Sequence, residues 1–231
     1  MDAYKLSPHR LNLYTECQRC FWENQHGLKR PSGPFPSLPS GMDKIIKQRF
    51  DTYRNRSEMP EELSSLEGIA LWNTEKLKEW RNQRTGLKWT TEEGHVLGGA
   101  LDDVLQTTSG ELVALDYKTR GFPLKQTPDY YTRQLECYTL LMQKEGFPTA
   151  DYAFLLFYYP DKFTEKGDAK FHNQLLRVAV DPTHAEETFA GAVSLLQGRK
   201  PRVNKDCKFC LYRERKLKPA HSLKSSVNFL K

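Results

Sequence analysis

The chain has 231 residues, 38% of them hydrophobic and 28% charged, so a sizeable core can form beneath a strongly polar surface. No apolar run reaches the about 18 residues of a membrane-spanning helix, and the start MDAYKLSPHR lacks a secretory apolar stretch, so a cytoplasmic location is expected. A formal net charge of +6 favours a polyanionic partner, because each Lys or Arg on a phosphate releases counterions.

Ser7-Pro8 is a helix-start signal, and residues 7–23 place Leu11, Tyr14 and the Cys17–Cys20 pair on a short helix or at its end. Pro31, Gly33, Pro34, Pro36, Pro39 and Gly41 predict a loop. Ile45, Ile46, Phe50 and Tyr53 then make an apolar stripe that predicts a helix over 42–56. Short helices are expected at Pro60-Glu61 and over 74–83. Strands are expected over 87–91, 96–107 and 111–119, the last two joined by a hairpin at Thr108-Ser109-Gly110. Leu135, Tyr138, Leu141 and Met142 recur at helical spacing within 129–144. The continuous apolar and aromatic run 152–159 suits a buried strand. A strand over 175–180 and a helix over 184–196 follow. This order predicts one α/β domain with a mixed sheet.

Three groups of residues carry chemistry. Asp116 and Lys118 project to one side of a strand while Tyr117 points away. With Asp102 on the paired strand, two carboxylates can form a hard oxygen site for Mg2+ or Mn2+, with the Lys118 ammonium beside it. An ordinary ion pair is the plainer alternative. Against it stands the apolar run Leu112–Leu115 leading into Asp116, because charge at the end of a buried strand is costly without a partner or a task. Gln134 and Tyr138 share a helical face and can contact a phosphate or a water, or form only the polar edge of an amphipathic helix. Cys17, Cys20, Cys207 and Cys210 form two CxxC pairs, which in a reducing compartment point to tetrahedral Zn2+ or an iron–sulfur cluster. Cys137 stands alone and reads as a small hydrophobe. The basic run 199–218 is either a phosphate-facing patch or a solvated tail.

Taken together, these motifs resemble the RecB-type branch of the PD-(D/E)xK nucleases, including the CRISPR-adaptation nucleases and the nuclease domains of AddAB helicase–nucleases. The resemblance rests on five features in family order: the opening Ser7 to Cys17, Gly99 to Asp102, Asp116-Tyr117-Lys118-Thr119, Gln134 to Tyr138, and Cys207 to Cys210 with Tyr212 beyond. It implies an α/β, restriction-endonuclease-like fold: a mixed sheet flanked by helices, with the terminal segments joined at a metal cluster. It implies a single nuclease domain over 1–231, with 1–40 and 199–218 as the cluster lobe, 41–198 as the nuclease core and 219–231 as a tail. The implied activity is phosphodiester hydrolysis in DNA, exonucleolytic or end-processing. Asp102, Asp116, Lys118, Gln134 and Tyr138 are the implied catalytic residues, with Mg2+ or Mn2+ on Asp102 and Asp116. The four cysteines are implied to hold a 4Fe–4S cluster, with Zn2+ as the alternative. DNA, as single strands or ends, is the implied partner, with Tyr130, Tyr131 and Tyr212 available for base stacking and Lys205, Lys208 and Arg213 for phosphates; a helicase or integrase partner stays unspecified.

The chain departs from the family at two points. The family's Gly-x-x-x-His helix has no His here, since Gly41 is followed by Met-Asp-Lys-Ile; Asp43, Gln48 or Asp51 can take its place, or the metal rests on fewer ligands. The cysteines divide two and two rather than one and three, with Cys20 taking the place of the third C-terminal thiolate. An inactive nucleic-acid-binding module and a zinc-stabilised interaction protein are the other readings.

Overall fold

A computed structural model of the protein describes residues 3–217, so Lys218 and the expected tail 219–231 lie outside the described residues. The chain opens with β1 (Lys5–Leu6), α1 (Pro8–Glu16) and α2 (Gln18–Gln25), followed by α3 (Ser37–Asn55). A 3-10 turn at Glu61–Leu63, β2 (Ile69–Leu71) and α4 (Lys76–Trp80) lead into the sheets. Then come β3 (Leu87–Thr90), β4 (Val96–Gly99), β5 (Asp103–Thr107) and β6 (Leu112–Thr119). The remainder is α5 (Asp129–Lys144), β7 (Tyr152–Phe163), β8 (Ala169–Ala179), α6 (Pro182–Gln197) and α7 (Lys208–Leu217).

The strands form a five-stranded sheet, β2-β5-β6-β7-β8, and a three-stranded sheet, β1-β4-β3. Within the larger sheet β6 and β7 are parallel and the other neighbours antiparallel, so the expected mixed sheet flanked by helices is present. Alternation along β6 divides the core. Leu112 and Ala114 face the cluster built with Leu135, Leu141 and Phe189 of α5 and α6. Val113, Leu115 and Tyr117 face the opposite cluster, which contains Ile46 and Phe50 of α3.

The structure corrects several sequence expectations. The strand expected over 96–107 is two strands in different sheets, and Asp102 lies on the bend between them. Leu97 and Leu101 face the same core as Val104, so the buried face changes parity at this bend, where one continuous strand would have kept it. The loop expected up to Gly41 already contains the first turn of α3, because Pro39 falls where the backbone N–H has no helical partner to lose. The first helix is two, parted at Cys17, whose backbone is extended and whose sulfur accepts from the Cys20 N–H at 3.5 Å. No sequence signal predicts β1, β2 or α7. Among the described residues no helix is long and apolar enough to cross a membrane.

Candidate metal and phosphate site

β6 delivers Asp116 at the end of a buried run, and its carboxylate is 1% exposed as a residue. The antiparallel register sets Asp103 opposite Leu115; continued by one residue, it brings Asp102 opposite Asp116. The Tyr117 N–H donates to Asp102 Oδ2 at 3.0 Å, anchoring that carboxylate on β6 between Asp116 and Lys118. The Lys118 ammonium lies against Asp116 Oδ2, an atom that accepts no well-directed hydrogen bond of its own. Asp116 Oδ1 accepts from Gln134 Nε2 at 3.2 Å. The same amide donates to the Tyr138 hydroxyl at 2.8 Å, and that hydroxyl donates to Ala100 O at 2.8 Å. Tyr138 is thus buried behind Gln134, with its hydroxyl occupied. A Cβ at Gly99 would stand 3.0 Å from Tyr138 Cε1, so this motif glycine lets α5 close over β4.

Electrostatics mark Asp116 out. Burial pushes its carboxyl up to about 7, and the neighbouring Asp102 charge pushes the same way, against the pull of Lys118. Metal-free, the folded protein therefore holds a proton at Asp116 that the unfolded chain releases at lower pH. Its stability falls as pH rises from the usual carboxylate range through about 7. Asp116→Asn removes that cost, and Lys118, with 19% of its side chain exposed, can turn to water. Without divalent metal, the variant should melt higher than the natural protein by roughly 5 °C at about pH 8, and by much less at about pH 4.5. Melting curves in chelator test this; an equal gap at both pH values would reject it.

On α3, Lys47 Nζ bridges Asp43 at 2.9 Å and Asp102 at 2.7 Å. Burial works against the Lys47 charge, yet the two carboxylates more than offset it and hold the ammonium above its ordinary range. Of the three residues weighed as replacements for the family's His, only Asp43 joins this group. Asp51 is engaged by Arg54 and Arg81, and Gln48 is exposed.

Behind the site lies a buried charge network. Asp103, fully buried, pairs with Arg54 and with Arg81 at 2.8 Å, and accepts from the Tyr117 hydroxyl at 2.5 Å. Arg54 Nε holds Trp72 O at 2.9 Å, and Arg81 Nε holds Asp102 O at 2.7 Å. Tyr117 thus points away from Lys118 as alternation requires, into this network. Sequence reasoning did not find Lys47, Arg54, Arg81 or Asp103. Only the spacings Asp43–Lys47 and Asp51–Arg54 hinted at any of it.

The four cysteines converge. Cys17–Cys210, Cys20–Cys207 and Cys20–Cys210 sulfurs lie 3.6 Å apart, and all four ligand atoms fall within 4.8 Å of one another. Arg30 donates to Cys207 Sγ at 3.5 Å, pairs with Glu16 at 2.7 Å and covers the Phe209 ring. Cys137 stays outside, fully buried in the α5–α6 core, where burial pushes its thiol up to about 12.

The basic run is partly consumed by structure. Lys200 at 3.1 Å and Arg213 both pair with the buried Glu23, alongside Arg19 at 2.7 Å. Arg213 also donates to Lys29 O at 3.0 Å. The expectation that Arg213 serves phosphates is therefore revised, because its guanidinium is already spent; Lys205 and Lys208 remain exposed. Beside Lys118, the Tyr131 ring centroid lies 5.3 Å from Nζ and stacks obliquely with Tyr130 at 4.3 Å. Arg120 spans the Phe157 and Phe122 rings, and Phe122 is 64% exposed. Aromatic faces and cations thus continue outward from the carboxylate pair. Tyr212, 55% exposed, sits instead on α7 beside the cysteines.

Residues 5–215 match the PD-(D/E)XK nuclease superfamily. No curated protein matches the sequence. Among solved structures, the crystal structure of SSO0001 is similar at 13% identity and a TM-score of 0.44, covering 93% of this chain and 86% of that one.

Proposed function

Because the chain belongs to the PD-(D/E)XK nuclease superfamily, we infer that it is a divalent-metal-dependent deoxyribonuclease that hydrolyses phosphodiester bonds at ends or in single strands. One observation carries this reading: Asp102 and Asp116 converge with Lys118 and Gln134 at the open end of a buried strand. The residues fit a divalent cation. Asp116 Oδ2 is buried without a directed hydrogen bond, and the Lys47 and Lys118 ammonium groups on Asp102 and Asp116 mark the pair as a place that attracts cations.

Asp102 and Asp116 would hold Mg2+ or Mn2+, hard cations that favour oxygen donors. Such an ion supplies Lewis-acid stabilisation of the phosphate and lowers the pKa of water. The chain's own groups do the rest. Lys118 orients the attacking water and meets negative charge developing on the phosphate. Gln134 holds Asp116 Oδ1 in place, and Tyr138 positions Gln134 from behind rather than touching substrate. Asp43 reaches Asp102 only through the shared Lys47 ammonium, so the metal would rest on fewer protein ligands than in the family. Residues 1–40 with 199–218 act as a cluster lobe beside the 41–198 core in this reading, and a helicase or integrase partner is compatible with it.

Purified full chain, incubated with labelled single- and double-stranded DNA in Mg2+, Mn2+ or chelator, tests the activity. Metal-dependent shortening supports it. Binding without cleavage favours the inactive module, and neither favours the interaction protein. The exposed rings favour unpaired bases, since stacking on an aromatic face is worth about 1–3 kcal/mol per base. Phe122→Ala with Tyr130→Ala should therefore weaken single-stranded DNA binding roughly tenfold or more, measured by fluorescence anisotropy in Ca2+ or chelator, and change duplex binding little. Charge reversal at Lys205 and Lys208 should flatten the salt dependence of binding. Unchanged affinity and slope would make that stretch a solvated surface.

A further inference from the structure

The four-cysteine site can be tested against the cluster that the resemblance implied. A single tetrahedral metal ion with metal–sulfur bonds of about 2.3 Å sets sulfur–sulfur edges of about 3.8 Å. Three edges here are 3.6 Å, and the remaining atoms stay within 4.8 Å. In a 4Fe–4S cube each thiolate binds a different iron, which spreads the cysteine sulfurs to roughly 6 Å. Reaching that spread would move each sulfur outward by about 1.5 Å.

The surroundings oppose such a movement. The four cysteines are 0–7% exposed, with Leu13 and Val203 packed against them. Their backbones are tied as well: Cys17 N–H donates to Leu13 O at 2.9 Å, and Cys207 N–H to Asn204 O at 3.3 Å. Cys17 O and Cys207 O accept from Phe21 and Leu211 in the first turns of α2 and α7. Each pair therefore begins a helix, where backbone N–H groups and the helix dipole favour thiolate charge. Arg30 on Cys207 Sγ offsets part of the net negative charge that four thiolates leave on a divalent ion.

We propose that Cys17, Cys20, Cys207 and Cys210 hold one Zn2+ ion in a closed structural site, and not a 4Fe–4S cluster. Four thiolates complete the tetrahedron and leave no position for a reacting ligand, so the ion's task is to staple residues 17–20 to the start of α7. The proposal does not depend on nuclease activity. It also separates two metals by donor softness: zinc on sulfur, and a hard cation on the Asp102–Asp116 oxygens.

The test is elemental analysis and a visible spectrum of the full-length protein, produced with both iron and zinc supplied and purified anaerobically. The expected result is one zinc per chain, no acid-labile sulfide and no band around 400 nm, the charge-transfer region of thiolate-held iron–sulfur. Replacing the zinc of the intact protein with Co2+ should give the visible bands of tetrahedral thiolate-bound cobalt. Cys137→Ser should keep the zinc and Cys20→Ser should lose it. Iron and sulfide at about four each per chain with that band, or a chain that carries neither metal and takes up no Co2+, would overturn the proposal. Loss of DNA cleavage in a zinc-replete protein would instead count against the nuclease reading alone.

Discussion

Asp116→Ala is expected to bring metal-dependent DNA cleavage to background, a loss of about 1000-fold or more, because it removes a buried carboxylate proposed to hold the metal and unpairs Lys118. Asp102→Ala should do the same through the other carboxylate. Lys118→Ala should differ in kind. Cleavage should fall by roughly 100- to 1000-fold, while Mn2+ still binds, because a lysine ammonium is no ligand. Single-turnover cleavage rates, paired with titration calorimetry of Mn2+, separate the two patterns. Retained far-ultraviolet dichroism guards against unfolding as the cause. Full activity in Asp116→Ala would sink the assignment of the site.

The largest stability effect should come from a residue that touches no substrate. Asp103→Ala leaves the Arg54 and Arg81 guanidinium groups with only the half-exposed Asp51 carboxylate between them, and Tyr117 deprived of its acceptor. Breaking a buried ion pair from one side typically costs about 3–5 kcal/mol, because the remaining charge stays in a desolvated place. The urea midpoint should shift accordingly at an unchanged slope. A change below about 1 kcal/mol would mean that water reaches the network and screens it. Arg81 also holds Asp102 O at 2.7 Å, so this loss should reach the site. Asp103→Asn, which keeps part of the hydrogen bonding, should recover more cleavage than Asp103→Ala at equal folded fraction.

Arg213 shows where charge in a sequence misleads. Read alone, it belonged to a basic run offered to phosphate. Folded, it is taken by Glu23, which lies 190 residues away in the chain and is only 5% exposed. Lys205 and Lys208 stand a few residues from it, free at the surface. Nothing in the composition of 199–218 distinguishes these positions, since partner choice depends on which helix arrives opposite.

What the sequence determined by itself is what short-range physics encodes. The apolar run Leu112–Leu115 built β6, and strict alternation put Asp116 and Lys118 on one side and Tyr117 on the other. The 3.6 period built α5 and brought Gln134 onto the Tyr138 hydroxyl. The two CxxC spacings announced a shared site that the fold closes. The bend at Ala100–Asp102 was hidden, because alternation alone cannot say which sheet a strand joins. Lys47 on Asp102 and Arg54 on Asp103 were hidden too, being pairs between elements about 50 residues apart, whose meeting depends on how α3 packs across the sheet. The spacing of the sulfurs, on which the proposed zinc site rests, was decided only when residues 17–20 and 207–210 packed around Leu13 and Val203, since the size of a cavity belongs to its walls and not to the ligands alone.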